Sequence, residues 1–320
     1  MRPPVEARHA LTIGVHAIPA ADYLADPCPE PSLSSTIARV LLAQSPAHAW
    51  WNHPRLNPSF AEDDERSYDL GTVAHALLLE GGGASAVVDA GDWRTKAAKK
   101  ARAEAIAAGK TPILAHQWET VQAMVKAARH QLLAFSVASE GSPPPFTNGV
   151  PERTLVWMAG GWWCRARLDW LHNDHRWVDD YKTTSGSANP DVWSRTLFNS
   201  GYDVQAAFYL RGVKAVLGRE ATFRFVVQES DPPYALAVIA LAPDALALAH
   251  RKVEAAIALW RKCLAANDWP AYPVRTCYAE APPWDIARWT EREARDWTPP
   301  PPAIVDDGRP IGDLLMGEQG

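Results

Sequence analysis

Cysteine is scarce in this sequence. The four present, Cys28, Cys164, Cys263 and Cys277, form no C-x-x-C pair. Neither a zinc ribbon nor an iron–sulfur cluster of the usual tight thiolate spacing fits them, and they read as ordinary reduced thiols. No uninterrupted apolar run approaches the roughly 18 residues of a membrane-spanning helix. The opening stretch, MRPPVEARHALTIGVHAIPA, places Glu6, Arg8 and two histidines where a signal peptide needs an apolar core, so a cytoplasmic location is expected. No G-x-x-x-x-G-K-[ST] segment occurs, which assigns any nucleotide-driven motor to another chain. No internal repeat is found.

What is present is the balance of a globular protein. Hydrophobic residues make up 47% and charged residues 22% of 320 positions, enough for a substantial core in one large or two modest domains. A net charge of −5 argues against a surface coated in nucleic acid but leaves room for a local basic patch. RTKAAKKARAEAIAAGK, residues 94–110, sets Arg94, Lys96, Lys99, Lys100, Arg102 and Lys110 against Glu104 alone. Taken alone, such a run reads first as a solvated helix face, with a local basic patch for nucleic acid as the alternative.

Along the chain, residues 1–30 are Pro-rich and read as irregular. SLSSTIARVLLAQSPAHAWW has capping serines followed by helical periodicity that breaks near Pro46. An acidic loop with Glu62, Asp63, Asp64 and Glu65 follows, then a short buried helix over 70–82 and two more helices over 95–108 and 114–137. The middle changes character. ERTLVWM, GWWCRARLDW and RWVDDYKT are short, aromatic and β-branched runs separated by turn residues, the pattern of an antiparallel meander. Helical sequence over 189–217, strands TFRFVVQE and YALAVIAL, and a long helix over 243–267 complete it. The expectation is an α/β protein with a mixed central sheet flanked by helices. It comprises one domain over 31–296, made of a helical part (31–140) and a sheet core (150–242), followed by a Pro-rich tail over 297–320.

Within the meander, VDDYKTT puts two carboxylates and a lysine into an otherwise buried strand, where unpaired charge is costly. Side chains alternate, so Asp180 and Lys182 share a face and Asp179 takes the other. On the preceding strand Asp169 lies with Arg165 and Arg167, opposite Leu168 and Trp170. A tight hairpin would bring Asp169 beside Asp180, and two such carboxylates repel unless a cation sits between them. A hard divalent ion such as Mg²⁺ is suited to that role. The alternatives are an Asp180–Lys182 ion pair on an exposed sheet face, and Asp179 as the ligand in place of Asp180. His75, between Ala74 and Ala76 on an apolar helix, reads either as a core histidine or as a ligand. Arg165 and Arg167 either bind phosphate or pair with the acidic cluster. His172, Asp174 and His175 are read as turn chemistry.

RLDW followed by DYKTT resembles the core of the PD-(D/E)XK nucleases. GTVAH resembles the G-x-x-x-H element of the branch containing RecB-type nucleases, and GYDVQAAFYL its Q-x-x-x-Y element. Together with LSS…LLAQSPAHAWW, LGTVAHALLLE and NDWPAY…PPW, the order of motifs is most similar to phage and prophage recombination exonucleases of the RecE, or exodeoxyribonuclease VIII, type, over roughly 30–290. The resemblance implies a restriction-endonuclease-like fold. It implies metal ligation by His75, Asp169, Asp180 and the Tyr181 backbone carbonyl, with Mg²⁺ as cofactor and Mn²⁺ able to substitute. Lys182 would orient water or stabilise charge on the phosphate, Gln205 and Tyr209 would line the site and contact DNA, and Glu152 would serve a second metal. The implied activity is 5′→3′ degradation of linear double-stranded DNA from its ends, in a ring-shaped homo-oligomer, leaving 3′ strands for a single-strand annealing partner. Lys96, Lys99 and Lys100 would then line a DNA channel or entry. A structure-specific endonuclease, a nuclease subunit of a larger complex and a non-catalytic DNA-binding module are the competing readings.

Overall fold

The computed structural model describes residues 10–60, 70–81, 85–138 and 141–297. The acidic loop at 62–65 and the tail beyond 297 lie outside the described residues. The chain divides into two compact units, Met1–Ala271 and Tyr272–Gly320, where the sequence suggested one domain running on to 296.

The elements of the first unit, in chain order, are β1 (Gly14–His16), α1 (Ala20–Leu24), β2 (Leu33–Ser34), α2 (Ser35–Ala43), α3 (Pro46–Trp51), α4 (Leu70–Leu79), β3 (Ser85–Val88), α5 (Lys96–Ala107), β4 (Thr111–Leu114), α6 (Ala115–Ala138), β5 (Gly149–Ala159), β6 (Trp162–His172), β7 (Trp177–Thr184), α7 (Pro190–Asn199), α8 (Tyr202–Leu217), β8 (Thr222–Glu229), β9 (Leu236–Ile239) and α9 (Pro243–Ala266). The sheet runs β1-β5-β6-β7-β8-β9, with β2 attached to β6, while β3 and β4 form a small parallel pair of their own. The meander β5-β6-β7 is antiparallel, and β7 and β8 run parallel, joined through α7 and α8. This is the mixed sheet flanked by helices that the sequence pattern called for.

Helices cover both faces. On one side α2, α8 and α9 pack over Leu155, Trp157, Leu168, Val178, Phe223 and Phe225. On the other, α4 and α6 pack with β4 over Tyr181 and Val226. The helix α8 comes unusually close to the sheet at Gly212, where a Cβ would stand 2.8 Å from the Trp157 ring. Ser34 caps α2, accepting from the Ile37 N–H at 3.3 Å, and Pro46 opens α3 after the cap Ser45, which explains the break in periodicity. Among the described residues, no helix is long and apolar enough to cross a membrane.

Two expectations fail here. The N-terminal segment is structured from residue 10 onward: β1 pairs with β5, and the backbone leading into β2 is tied down by Asp26. The Asp26 carboxylate accepts from the Ser32 N–H (2.9 Å) and Ser32 hydroxyl (2.7 Å), and meets Arg165 at 3.1 Å and His53 at 3.4 Å. Polar anchoring of this kind leaves no hydrophobic period to read. The helical part expected over 31–140 also contains β2, β3 and β4, strands of two to four residues whose partners are distant or too short to show alternation.

The second unit contains α10 (Pro283–Asp296), a helix with no buried residue, whose Trp284, Ile286 and Trp289 are exposed. Arg288 lies over Trp284 at 5.3 Å and Arg292 over Trp289 at 5.6 Å.

Burial alone would raise the Asp26 carboxyl, but His53, Arg165 and Ser32 bring it down to about 2. Its folded value lies below its unfolded one, so the ionised carboxylate contributes stability that is complete above pH 3.8 and is lost as the pH falls through about 2. Replacing Asp26 by Ala leaves Arg165 buried without its counter-charge and is expected to cost about 3–5 kcal/mol in urea unfolding at pH 7. The wild type's excess stability over the variant should shrink between pH 4 and 2; a constant difference across that window would remove Asp26 from this role.

Candidate metal centre

Each of the three central strands places one carboxylate at the same level of the sheet, Glu152 on β5, Asp169 on β6 and Asp180 on β7. Along β5 and β6 the ladder pairs Pro151 with Trp170 and Arg153 with Leu168, and omits Glu152 and Asp169 between them. Along β6 and β7 it pairs only Leu171 with Val178 and Trp170 with Asp179. Continuing that register sets Asp169 opposite Asp180, where the strands part. The other half of this β6 edge is occupied by β2, at Cys164 and Arg165. Glu152, Asp169 and Asp180 therefore form a row at a gap in the sheet.

Glu152 holds the backbone open. Its φ is +55°, the left-handed region that a non-glycine residue in a strand rarely enters. The simple alternation expected along β6 is broken at this point. Cys164, Ala166 and Leu168 belong to the α8 side, but so does Leu171, while Trp170 packs on the α4 side instead of joining Leu168. The irregular Glu152 pairing lets the two halves of the strand pair face different layers.

Into this gap come side chains from both helical layers. From α4, His75 Nε2 lies 3.2 Å from Asp169 Oδ2 and 3.6 Å from Glu152 Oε1. From α8, Gln205 donates to Asp180 Oδ1 at 2.7 Å. Lys182, two residues along β7, forms an ion pair with Asp180, and its ammonium lies 5.3 Å from the Tyr202 ring centroid. Arg167 donates to Glu152 and to the Ile18 carbonyl, the latter at 2.7 Å. The Tyr181 N–H, left without a strand partner, donates to Asp169 Oδ2 at 2.9 Å. A residue's N–H and C=O point to the same neighbouring strand, so the Tyr181 carbonyl faces the gap as well.

The electrostatics are those of crowded like charges. Burial and the adjacent Asp169 push Asp180 up to about 6, against the pull of Lys182. Burial would raise Asp169 too, but His75, Lys182 and the Tyr181 N–H hold it below the usual carboxylate value. Glu152 is raised, by burial and by Asp169. Burial would lower His75, yet Asp169, Glu152 and Asp180 together push it up to about 9. An imidazolium and an ammonium thus occupy the places where a divalent cation and its surroundings would neutralise the same carboxylates. Asp180 is 1% exposed, with Oδ1 accepting from Gln205 and Oδ2 ion-paired with the Lys182 ammonium. Carboxylate oxygens from three strands with one imidazole beside them are the donor set that suits Mg²⁺ or Mn²⁺.

The structure brings together His75, Glu152, Asp169, Asp180, Lys182, Gln205 and Arg167. It separates others. Arg165 is 3% exposed and turns away from the gap to Asp26, Ser32 and the Tyr23 carbonyl, so it contacts neither phosphate nor the acidic cluster. Tyr209 is buried one turn behind Gln205 against Phe223 and Ser35 and offers DNA no surface. Gln205 itself orients Asp180. Lys96, Lys99 and Lys100 are exposed on α5, which packs on β3 and β4. Asp179 faces the opposite layer, where it accepts from the Phe146 N–H (3.0 Å), His172 (2.7 Å) and Arg224 (2.6 Å). His172 is therefore a buried partner of Asp179 at the end of β6 rather than a turn residue. Two neighbours of the site carried no signal in the sequence: Tyr202, beside Lys182, and Glu80, just past the end of α4.

The two adjacent aspartates should respond oppositely to the same change. Asp179→Asn removes the charge that satisfies Arg224 and His172 and should lower the thermal midpoint of the cation-free protein. Asp180→Asn relieves crowding among carboxylates and should leave that midpoint unchanged or raise it at pH 7.5, because ionised Asp180 disfavours folding above pH of about 6. Calorimetry in the presence of a chelator reads both, and a large loss for Asp180→Asn would mean that the residue is structural.

No curated protein matches the sequence. Among solved structures, the fold is similar to a "putative exonuclease" from Eubacterium rectale, with 10% identity and a TM-score of 0.55, covering 94% of this chain and 99% of that one. The overlap with SSO0001 spans 50% of this chain and 79% of that one at 18% identity, and its TM-score of 0.24 carries no argument. The family model for the PDDEXK-like domain of unknown function (DUF3799) matches residues 35–280. A sheet gap lined by carboxylates, with a lysine two residues beyond the last of them, lies inside that span, and the chain belongs to this PDDEXK-like family.

Proposed function

We propose that the protein is a divalent-cation-dependent nuclease that hydrolyses phosphodiester bonds of linear double-stranded DNA from its ends. The observation that carries this reading is the meeting of Asp169, Asp180, Lys182 and His75 at one gap in the sheet. The resemblance to RecE-type exonucleases supports the finer terms: 5′→3′ polarity, cytoplasmic action as a homo-oligomer enclosing DNA, and delivery of 3′ strands to an annealing partner in phage-type recombination.

His75, Asp169, Asp180 and the Tyr181 carbonyl would hold the cation, with Glu152 at its margin. A bound Mg²⁺ or Mn²⁺ lowers the pKa of water and neutralises charge on a phosphate. The chain's own residues do the rest. Gln205 fixes one Asp180 oxygen, so the other is presented to the gap in a single orientation. Lys182 is kept charged: burial would lower its pKa, but Asp180 and Asp169 raise it. Held between Asp180 and the Tyr202 ring, its ammonium is placed to stabilise charge developing on a phosphate oxygen or to hold the attacking water. Arg167 restrains Glu152 and keeps that carboxylate from folding over the gap. Exposed Lys96, Lys99 and Lys100 supply a non-specific attraction for the backbone of DNA approaching the site.

With Mg²⁺, linear duplex should be degraded while covalently closed circles survive, and Lys182→Ala should reduce the rate by about 10²–10³ or more. Cutting of circles would instead indicate an endonuclease. Folded protein that binds cation yet cleaves neither substrate would point to a binding module or a partner-dependent subunit. Charge reversal of Lys96, Lys99 and Lys100 should weaken DNA binding and flatten its dependence on salt, by roughly 0.9 log unit for each phosphate no longer neutralised; unchanged binding would free α5 from this role.

A further inference from the structure

The arginines of the central strands are already occupied by carboxylates. Arg165 is held by Asp26, Arg167 by Glu152 and, in the opposite layer, Arg224 by Asp179. A DNA strand is gripped chiefly through its phosphate oxygens, which calls for cationic donors not spent in this way. Arg39, on α2, has them. Its guanidinium donates to the Ser200 carbonyl at 3.2 Å and lies 5.6 Å from the centre of the Tyr202 ring. Among the described residues no carboxylate stands in ion-pair contact with it. A guanidinium carries five N–H donors, so several remain for a ligand.

The structure fixes where that guanidinium sits. Its stem crosses the turn between α7 and α8 at Gly201, whose φ is +67° and where a Cβ would stand 3.1 Å from both Cγ and Cδ of Arg39. Glycine answers both demands, the left-handed backbone and the close passage of the stem. Tyr202 in turn stacks on Trp193, with ring centres 5.7 Å apart and planes 13° from parallel, and Trp193 is part of the core. The Lys182 ammonium lies 5.3 Å from the centre of the same Tyr202 ring and is ion-paired with Asp180. One anchored ring therefore holds two cations, an ammonium at the gap and a half-buried guanidinium beside it.

Phosphates follow one another at short intervals along a DNA strand, so a phosphate at the gap brings its neighbour close by. We propose that Arg39, seated on Tyr202, binds the phosphate adjoining the scissile one on the strand being cut, an inference that rests on the proposed function. Lys182 then serves the phosphate that reacts, and Arg39 one that does not. A contact to a non-reacting phosphate is equally strong in the ground state and the transition state, so it acts on KM and leaves kcat alone.

Steady-state cleavage of linear duplex by the full chain with Mg²⁺ tests this, together with binding of a short end-labelled duplex read by fluorescence anisotropy in a chelator. Arg39→Gln retains an N–H donor and part of the stem but loses the charge. It should raise KM and Kd by about 10-fold with kcat unchanged, and reduce the salt slope of binding by about 0.9 log unit. Arg39→Lys should keep the salt slope of wild type and lose less affinity, since an ammonium also donates to phosphate. If both variants instead lose affinity alike together with thermal stability, Arg39 is a brace for the turn and the proposal falls. It falls equally if Arg39→Gln leaves KM and the salt slope unchanged, or lowers kcat alone. Each of these results leaves the nuclease standing. Folded wild type that neither binds nor cleaves duplex removes both.

Discussion

Repulsion among carboxylates at one gap in the sheet is the constraint around which this molecule is organised. Two unit charges about 4 Å apart cost on the order of 4 kcal/mol at an effective dielectric constant near 20. Glu152, Asp169 and Asp180 stand in a row on three adjacent strands with Glu80 close by. The fold keeps them there by bringing cations from separate elements: His75 from α4, Arg167 from β6 and Lys182 from β7. Each helical layer contributes one inward group, His75 from one side and Gln205 from the other. The packing of α4 and α8 on opposite faces is thus also the assembly of the site.

Asp179 and Asp180 show how one strand sorts function from structure. They are neighbours in sequence, almost fully buried, and chemically identical. Asp179 points into a network in which two cationic or protonatable groups and a backbone N–H satisfy it, and Arg224 is further held over the Trp177 ring at 4.5 Å. Asp180 points into the gap, where one oxygen is fixed by Gln205 and the other is ion-paired with Lys182. The satisfied network around Asp179 rigidifies the strand, while Asp180 stands among like charges at the gap. Both belong to the same β7, and the first secures the strand that displays the second.

The gap itself breaks local rules. A left-handed glutamate in a long strand, a missing pair in one ladder and a two-pair ladder beside it would each weaken an ordinary sheet. The surrounding structure overrides them. The long β5–β6 ladder continues on both sides of Glu152, β2 covers the rest of the β6 edge, and Arg165 locks β2 to the N-terminal segment through Ser32 and Asp26. Departures of this kind concentrate where a protein uses them.

The sequence by itself marked out the sheet, its helices and the two aspartates that meet at the gap. Those features are local: alternation marks strands, apolar period and capping serines mark helices, and R-L-D-W with D-Y-K-T-T at hairpin distance leaves few ways to pair Asp169 and Asp180. Tertiary structure decided the rest, because those facts depend on chain segments far apart in sequence. Which way Arg165 turns is settled by Asp26, on a segment with no periodic pattern. Whether Gln205 and Tyr209 meet solvent is settled by how deeply Gly212 lets α8 sit on Trp157. Glu80 joins the site only because the end of α4 lies over β5, an approach between surfaces that no spacing along the chain encodes.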